Sequence, residues 1–187
     1  MVKRVSNWKK KNLFTLYAPD NFEAREIGKS VAYTPAELEG RTVRASLADL
    51  TGDRGKQHMK LVFEVTDVKK DKAETRLKKF YIPGSYLNYK VRKGNTKVDY
   101  INDLDIKDAV LRVKLMVLSR WYMSQSQKKE VSKIVRESLN SHKNNTAEDF
   151  MQMTLFGKLG TEIYKKTRKV IPITRVEVHH VDVKKRK

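Results

Sequence analysis

Apolar and polar residues alternate with a period of two along most of this chain, the signature of strands with one buried face. Between positions 58 and 68, Met59, Leu61, Phe63 and Val65 share one side, and Lys60, Val62, Glu64 and Thr66 share the other. Shorter stretches at 13–17, 27–33, 42–50 and 75–82 predict further strands. Pro19 and Asp20 stop the first of these. Thr34, Pro35, Ala36 and Glu37 read as a turn or a single helical turn with proline at its first position. Residues 51–56, with Gly52 and Gly55, are a loop, and Lys69, Lys70, Asp71 and Lys72 are a charged hairpin tip. Beyond Pro83 and Gly84, residues 85–92 predict a short helix before Gly94 and Asn95.

The clearest local fold is a hairpin. Val98, Tyr100, Leu104 and Ile106 lie on one face of a strand, and Leu111, Val113, Leu115 and Val117 on one face of the next. A two-residue turn at Lys107 and Asp108 places Leu104 opposite Leu111 and Asn102 opposite Val113. The same register sets Asp103 against Arg112 on the other face as a cross-strand ion pair.

After Met123 the period lengthens. Residues 124–140 predict a helix with Val131, Ile134, Val135 and Ser138 on one side. Thr146, followed by Glu148 and Asp149, starts a helix that runs to about Leu155. Gly157 and Gly160 bracket a break, and 161–169 predict another short helix. Pro172 introduces a last strand, 173–183. There Val176 and Val178 keep one phase and Val181 and Val183 the other, so a bulge is expected between them.

These elements predict an α+β fold: an antiparallel β-barrel of about six or seven strands, a helical block before the last strand, and basic terminal arms. The expected organisation is a disordered basic arm over 1–12, one domain over 13–183 and a basic tail over 184–187.

Charge changes the picture. The chain carries 41 Lys+Arg against 22 Asp+Glu in 187 residues, a formal charge of +19. The arm holds Lys3, Arg4, Lys9, Lys10 and Lys11 without an acid, and the last four residues are Lys, Lys, Arg and Lys. Those nine cations leave 19 − 9 = +10 for the folded body. A compact protein that tolerates such self-repulsion has a polyanion as its normal environment, and nucleic-acid phosphates are the simplest one. Cysteine is absent, which excludes disulfides, thiolate nucleophiles and cysteine-ligated zinc, and fits a reducing compartment. No apolar run approaches the ~20 residues that cross a bilayer, and no secretory signal is expected, so no membrane partner is expected.

Catalytic signals are poor. Gly28, Lys29 and Ser30 imitate the end of a phosphate-binding loop, but the required preceding glycine position is Glu23; Gly55 and Lys56 fail likewise at Leu50. His58, His142, His179 and His180 show no metal-ligand spacing and read as surface histidines near phosphates. Asp99, Asp103 and Asp105 share a strand face. They could hold a divalent ion in a nuclease, but pairing with Arg112 and Lys114 is the simpler reading. No catalytic residue, metal or cofactor is expected.

Nucleic-acid contact has better support. Arg120, Trp121 and Tyr122 follow the hairpin and precede Lys128 and Lys129, planar groups beside cations that suit stacking on unpaired bases. The alternative is that Trp121 and Tyr122 close one end of the barrel as core. Trp8 sits among Lys9, Lys10 and Lys11 in the arm. Arg54 and Lys56, Lys69 and Lys70, and Lys90, Arg92 and Lys93 place cations on loops, where each alone is a solvated charge and together they suit a phosphate backbone. Lys165, Lys166, Arg168 and Lys169 form a further patch that a helix dipole would also favour.

One ordered string carries a family resemblance: Ala18 and Pro19, then Phe22, Arg25, Ile27, Gly28 and Lys29, then Leu38, Gly40 and Arg41, and above all Ser46, Leu47, Ala48, Asp49 and Leu50 before a polar loop. Over residues 13–66 this resembles the archaeal and eukaryotic small-subunit ribosomal proteins of the S-one type, formerly S-three-A-e. Weaker similarity continues through Phe80, Leu111 to Val113, Lys128, Lys129 and Ile134. The shorter basic loop at 120–127 and short C-terminal tail look like the archaeal form. The resemblance implies a structural, non-enzymatic β-barrel protein in the cytoplasm, within the small ribosomal subunit. It would bind small-subunit rRNA on the platform near the mRNA exit side, beside other platform proteins, with mRNA and initiation factors close by. A freestanding RNA-binding translation factor or RNA chaperone that visits the ribosome transiently is the alternative.

Overall fold

The structure is a computed structural model and describes residues 11–187. It contains an eight-stranded mixed sheet and five α-helices, so the α+β class holds. The chain divides into two compact units, residues 1–78 and 79–187.

In the first unit, β1 (Asn12–Tyr17) pairs antiparallel with β2 (Glu26–Ala32). It also pairs in parallel with the start of β5 (Lys72–Tyr81), Leu16 opposite Ala73. The Thr75 hydroxyl donates to the Tyr17 carbonyl at 2.6 Å and fastens that junction. β3 (Thr42–Ser46) pairs antiparallel with β4 (Lys60–Lys69), which also pairs with β5. The core here is Phe14, Leu16, Ala32, Leu38, Val65 and Ala73, with Val43 and Val68 packed against it. Alternation in β1 and β4 puts Phe14, Leu16 and Val65 inside, and burying a Phe, Leu or Val side chain contributes roughly 1.5–3 kcal/mol each.

Two expectations fail in this unit. Residues 42–50 are not one strand. β3 stops at Ser46 and α1 (Leu47–Thr51) follows. The Asp49 carboxylate accepts the Ser46 backbone N–H at 3.4 Å, and the Ser46 hydroxyl donates to the Gln57 carbonyl at 3.1 Å. Leu47 and Leu50, three apart, are both buried. Second, the sheet is not closed into a barrel, nor is it wholly antiparallel. Closure of the first unit would need a ladder between β2 and β3, and none exists among the described residues. In its place the Arg41 guanidinium donates to the Val31 carbonyl at 3.0 Å and the Ser30 hydroxyl at 3.2 Å.

In the second unit, the last residues of β5 pair with β8 (Ile173–Arg186), Phe80 opposite Val181. α2 (Gly84–Lys90) follows β5. β6 (Lys97–Asp105) and β7 (Ala109–Ser119) form the expected hairpin in the expected register, Leu104 opposite Leu111, Asn102 opposite Val113 and Asp103 opposite Arg112. The Ile106 N–H donates to the Ala109 carbonyl at 3.0 Å around the two-residue turn. β7 lies between β8 and the edge strand β6, with Leu111, Val113, Leu115 and Val117 all fully buried. The β7–β8 ladder shifts register at three places, one of them across His179, where the hydrophobic phase slips. β8 also runs on to Arg186, with Lys185 opposite Val110 and Arg186 opposite Ala109.

α3 (Gln125–Asn140), α4 (Ala147–Leu155) and α5 (Lys158–Thr167) follow β7. Val131, Val135, Leu139, Ala147, Phe150, Met151, Leu155, Leu159 and Ile163 are their buried apolar positions. Gly157 takes φ +73° and is the break ahead of α5, whereas Gly160 lies inside that helix and does not interrupt it. His142 and Glu162 meet at 2.8 Å, and Glu162 also accepts from Lys166 at 2.6 Å, which ties the end of the α3 region to α5. Burial pushes the Glu162 carboxyl up, but the hydrogen bonds from Lys166 and His142 outweigh it and hold it below the ordinary value. No helix among the described residues is long and apolar enough to cross a membrane.

Candidate nucleic-acid interface

The segment that joins β7 to α3 is held rigidly at its backbone. Ser119 is fully buried, and its hydroxyl accepts the Thr96 N–H at 3.1 Å and donates to the Trp121 carbonyl. The Arg120 N–H donates to the Pro172 carbonyl at 3.0 Å, and the Met123 N–H to the Thr96 hydroxyl at 3.1 Å. Met123 is the residue that enters the core, at 0% exposure. Trp121 and Tyr122 therefore project outward, 61% and 77% exposed. The reading of these rings as core is overturned, because the buried anchor comes one residue later than the aromatic pair.

Cations flank both rings. The Arg120 guanidinium lies 5.8 Å from the Trp121 ring centre, and Lys128 Nζ lies 5.9 Å from that of Tyr122. α3 starts at once, because Ser124 and Gln127 cap it reciprocally: Ser124 Oγ accepts the Gln127 N–H at 3.3 Å and Gln127 Oε1 accepts the Ser124 N–H at 3.0 Å. The helix then presents Lys128, Lys129, Ser132, Lys133 and Arg136 around an open recess of about 340 Å³. Spacings of four and three put Lys129, Lys133 and Arg136 along one stripe. Among the described residues, no carboxylate lies within ion-pair distance of these four cations, and Arg136 donates only to the Tyr100 hydroxyl, at 3.3 Å.

The other expected contact residues of the second unit surround α2. Lys90 Nζ sits 4.9 Å from the Tyr86 ring centre and 5.5 Å from that of Tyr89, which is 77% exposed. Arg92 and Lys93 are exposed on the loop that ends at Thr96, the residue that clamps the β7–α3 segment. Tyr89 beside Lys90 is a ring-and-cation pair that the sequence reading passed over. Its signal was the two tyrosines directly before the cluster of Lys90, Arg92 and Lys93.

In the first unit the cations differ in availability. Lys69 is engaged by Glu74 at 2.9 Å and Asp67 at 3.6 Å, and these carboxylates raise its pKa. Lys56 meets Asp53 at 3.6 Å. Arg54 and Lys70 are exposed, Lys70 with φ +54° at the hairpin tip. Lys11 Nζ lies 5.0 Å from the Tyr33 ring centre. Lys3, Arg4, Trp8, Lys9 and Lys10 fall outside the described residues.

The three strand aspartates each hold a cation. Asp99 meets Lys97 at 2.9 Å, Asp103 meets Arg112 at 2.7 Å and Asp105 meets Lys187 at 2.7 Å. Each carboxylate is thus engaged in an ion pair, and Lys97 and Lys187 take the role expected of Lys114. The histidines expected at the surface are all partly exposed: the His142 side chain is 16% exposed and bound to Glu162, and His58, His179 and His180 are half-buried.

The pattern of the Ribosomal S3Ae family matches residues 2–187. A relative from Saccharolobus islandicus (strain L.S.2.15 / Lassen #1), called small ribosomal subunit protein eS1, is 33% identical over 180 residues, which covers 95% of this chain and 86% of the relative. A protein of the same name from Sulfurisphaera tokodaii is 35% identical over 173 residues, covering 91% of this chain and 90% of the relative.

Proposed function

This chain belongs to the Ribosomal S3Ae family, and from that membership we propose that it is a structural component of the small ribosomal subunit that binds rRNA on the platform, near the mRNA exit side. The observation that carries the reading is the family match along nearly the whole chain, joined to relatives named as small-subunit ribosomal proteins. The interface supplies the physical mechanism. Cations without acidic partners among the described residues, Arg120, Lys128 and Lys129 in the second unit and Arg54 and Lys70 in the first, meet phosphates and release condensed counterions. The five cations of residues 3–11 add to that charge. Exposed Trp121, Tyr122 and Tyr89 offer planar faces to bases that are not paired. Neighbouring platform proteins cover part of the remaining surface, with mRNA and initiation factors close by.

Crosslinking of this chain to RNA within intact small subunits, followed by sequencing of the adducts, tests the placement. Adducts in the 3′ region of the small-subunit rRNA are expected. Adducts confined to RNA remote from the platform would overturn it.

A further inference from the structure

Resting on that RNA-binding reading, we propose that the corner between β7 and α3 is a site for an unpaired stretch of RNA, with bases stacked on both Tyr122 and Trp121 and the adjoining phosphates in the recess lined by Lys128, Lys129, Lys133 and Arg136.

Three observations converge. First, the two rings are held out by built structure. The buried Ser119 hydroxyl, Thr96 and Pro172 fix the backbone on either side, and Met123 takes the core position. Rings exposed at 61% and 77% on a fixed backbone forgo the burial that aromatic side chains ordinarily gain, and they are pre-oriented for a partner. Second, the recess has four cations without a carboxylate partner among the described residues, unlike Lys69 or Lys166, which are engaged by acids. Third, Lys128 belongs to both parts: it lines the recess and lies 5.9 Å from the Tyr122 ring centre. One nucleotide presents a base and its phosphate side by side, and this corner presents a ring and a cation side by side. Lys128 and Arg120 each lie near one ring, and the exposure that remains leaves area for a base. A base within an A-form duplex cannot reach a ring in this way, so the geometry selects unpaired RNA.

The test uses the full chain. Trp8 and Trp121 are its two tryptophans, so Trp8→Phe leaves Trp121 as the sole indole reporter. This protein is titrated at fixed salt with a short single-stranded oligoribonucleotide, a duplex of equal phosphate content, and a polyglutamate peptide. Only the single strand is expected to quench Trp121. Tyr122→Leu should weaken single-strand binding about tenfold, and Lys129→Gln with Lys133→Gln should flatten the salt dependence while the quench at saturation persists. Equal quenching by the duplex, or by the acidic peptide as an acidic protein partner would give, overturns the proposal, as does an unchanged affinity in Tyr122→Leu. Incorporation into small subunits is scored in parallel. A chain that enters subunits without single-strand preference overturns this site alone; one with the preference that never enters subunits overturns the ribosomal reading alone.

Discussion

Arg112 grips Asp103 across the β6–β7 ladder through two parallel 2.7 Å hydrogen bonds, Nε to one carboxylate oxygen and Nη2 to the other. The pair is possible only in the register that also sets Leu104 against Leu111 on the opposite face. A slip by one residue would break the ion pair and turn the apolar set outward together. The guanidinium hydrogen bonds hold the Asp103 carboxyl below the ordinary aspartate value.

The Asp103 carboxylate should therefore titrate, by carboxyl carbon NMR, below the ordinary aspartate range. Arg112→Gln should return it to that range. Since its folded pKa is depressed, the pair's contribution is present at neutral pH and is lost as pH falls through the folded value. An unshifted Asp103 in the native protein would contradict the bidentate geometry.

Leu111 has no exposure at the centre of the second unit, while Ile101, on the neighbouring edge strand, is 62% exposed. Leu111→Ala should cost about 2–5 kcal/mol in urea unfolding, and Ile101→Ala should stay within about 0.5 kcal/mol. Equal costs would refute the register.

That register was legible because alternation on both strands and a two-residue turn are local signals. The bulge was legible for the same reason, since Val178 and Val181 cannot share a face without an extra residue, and the ladder slips across His179. The missing barrel closure was not legible. The parallel pairing of Leu16 with Ala73, and Arg41 standing where a β2–β3 ladder would run, join residues far apart in sequence with no periodic trace. α1 was misread because Val43, Ala45 and Leu47 continue a strand period, and the Ser46–Asp49 hydrogen bond overrides it. The outward placement of Trp121 was open for a related reason. Period alone does not say which residue after a strand end re-enters the core, and Met123 decides it.

Ser124 is the cap that launches α3 and so places Lys128 and Lys129. Ser124→Ala should destabilise the protein by about 1 kcal/mol, read as a lower urea midpoint with an unchanged slope. No change in midpoint would mean that the cap contributes nothing to the helix start.

His180 should make the protein acid-sensitive. Burial, and then the charges of Lys79 and Lys114, depress its imidazole from 6.5 to about 4, against the smaller opposing pull of Asp182. Between those values the unfolded chain binds a proton that the folded chain refuses, so stability falls as pH drops through this window. Burial depresses His179 in the same direction. The urea midpoint should be lower at pH 4.5 than at pH 7, and His180→Gln should reduce the difference. An equal difference in both proteins would contradict the assignment.

Binding of the chain to small-subunit rRNA should weaken steeply as salt rises, because phosphate contacts release counterions. Lys129→Gln should lower the slope of log affinity against log salt by about one. An affinity independent of salt would remove the electrostatic mechanism.

The most direct measurement is to tag the chain, wash ribosomes at high salt, separate the subunits on a sucrose gradient and quantify the chain in each fraction. A structural component, held in the assembled subunit by many RNA and protein contacts at once and not by the salt-sensitive phosphate contacts alone, remains with the small subunit at a fixed ratio to its other proteins. Recovery at the top of the gradient, with washed small subunits depleted of the chain, would contradict the account.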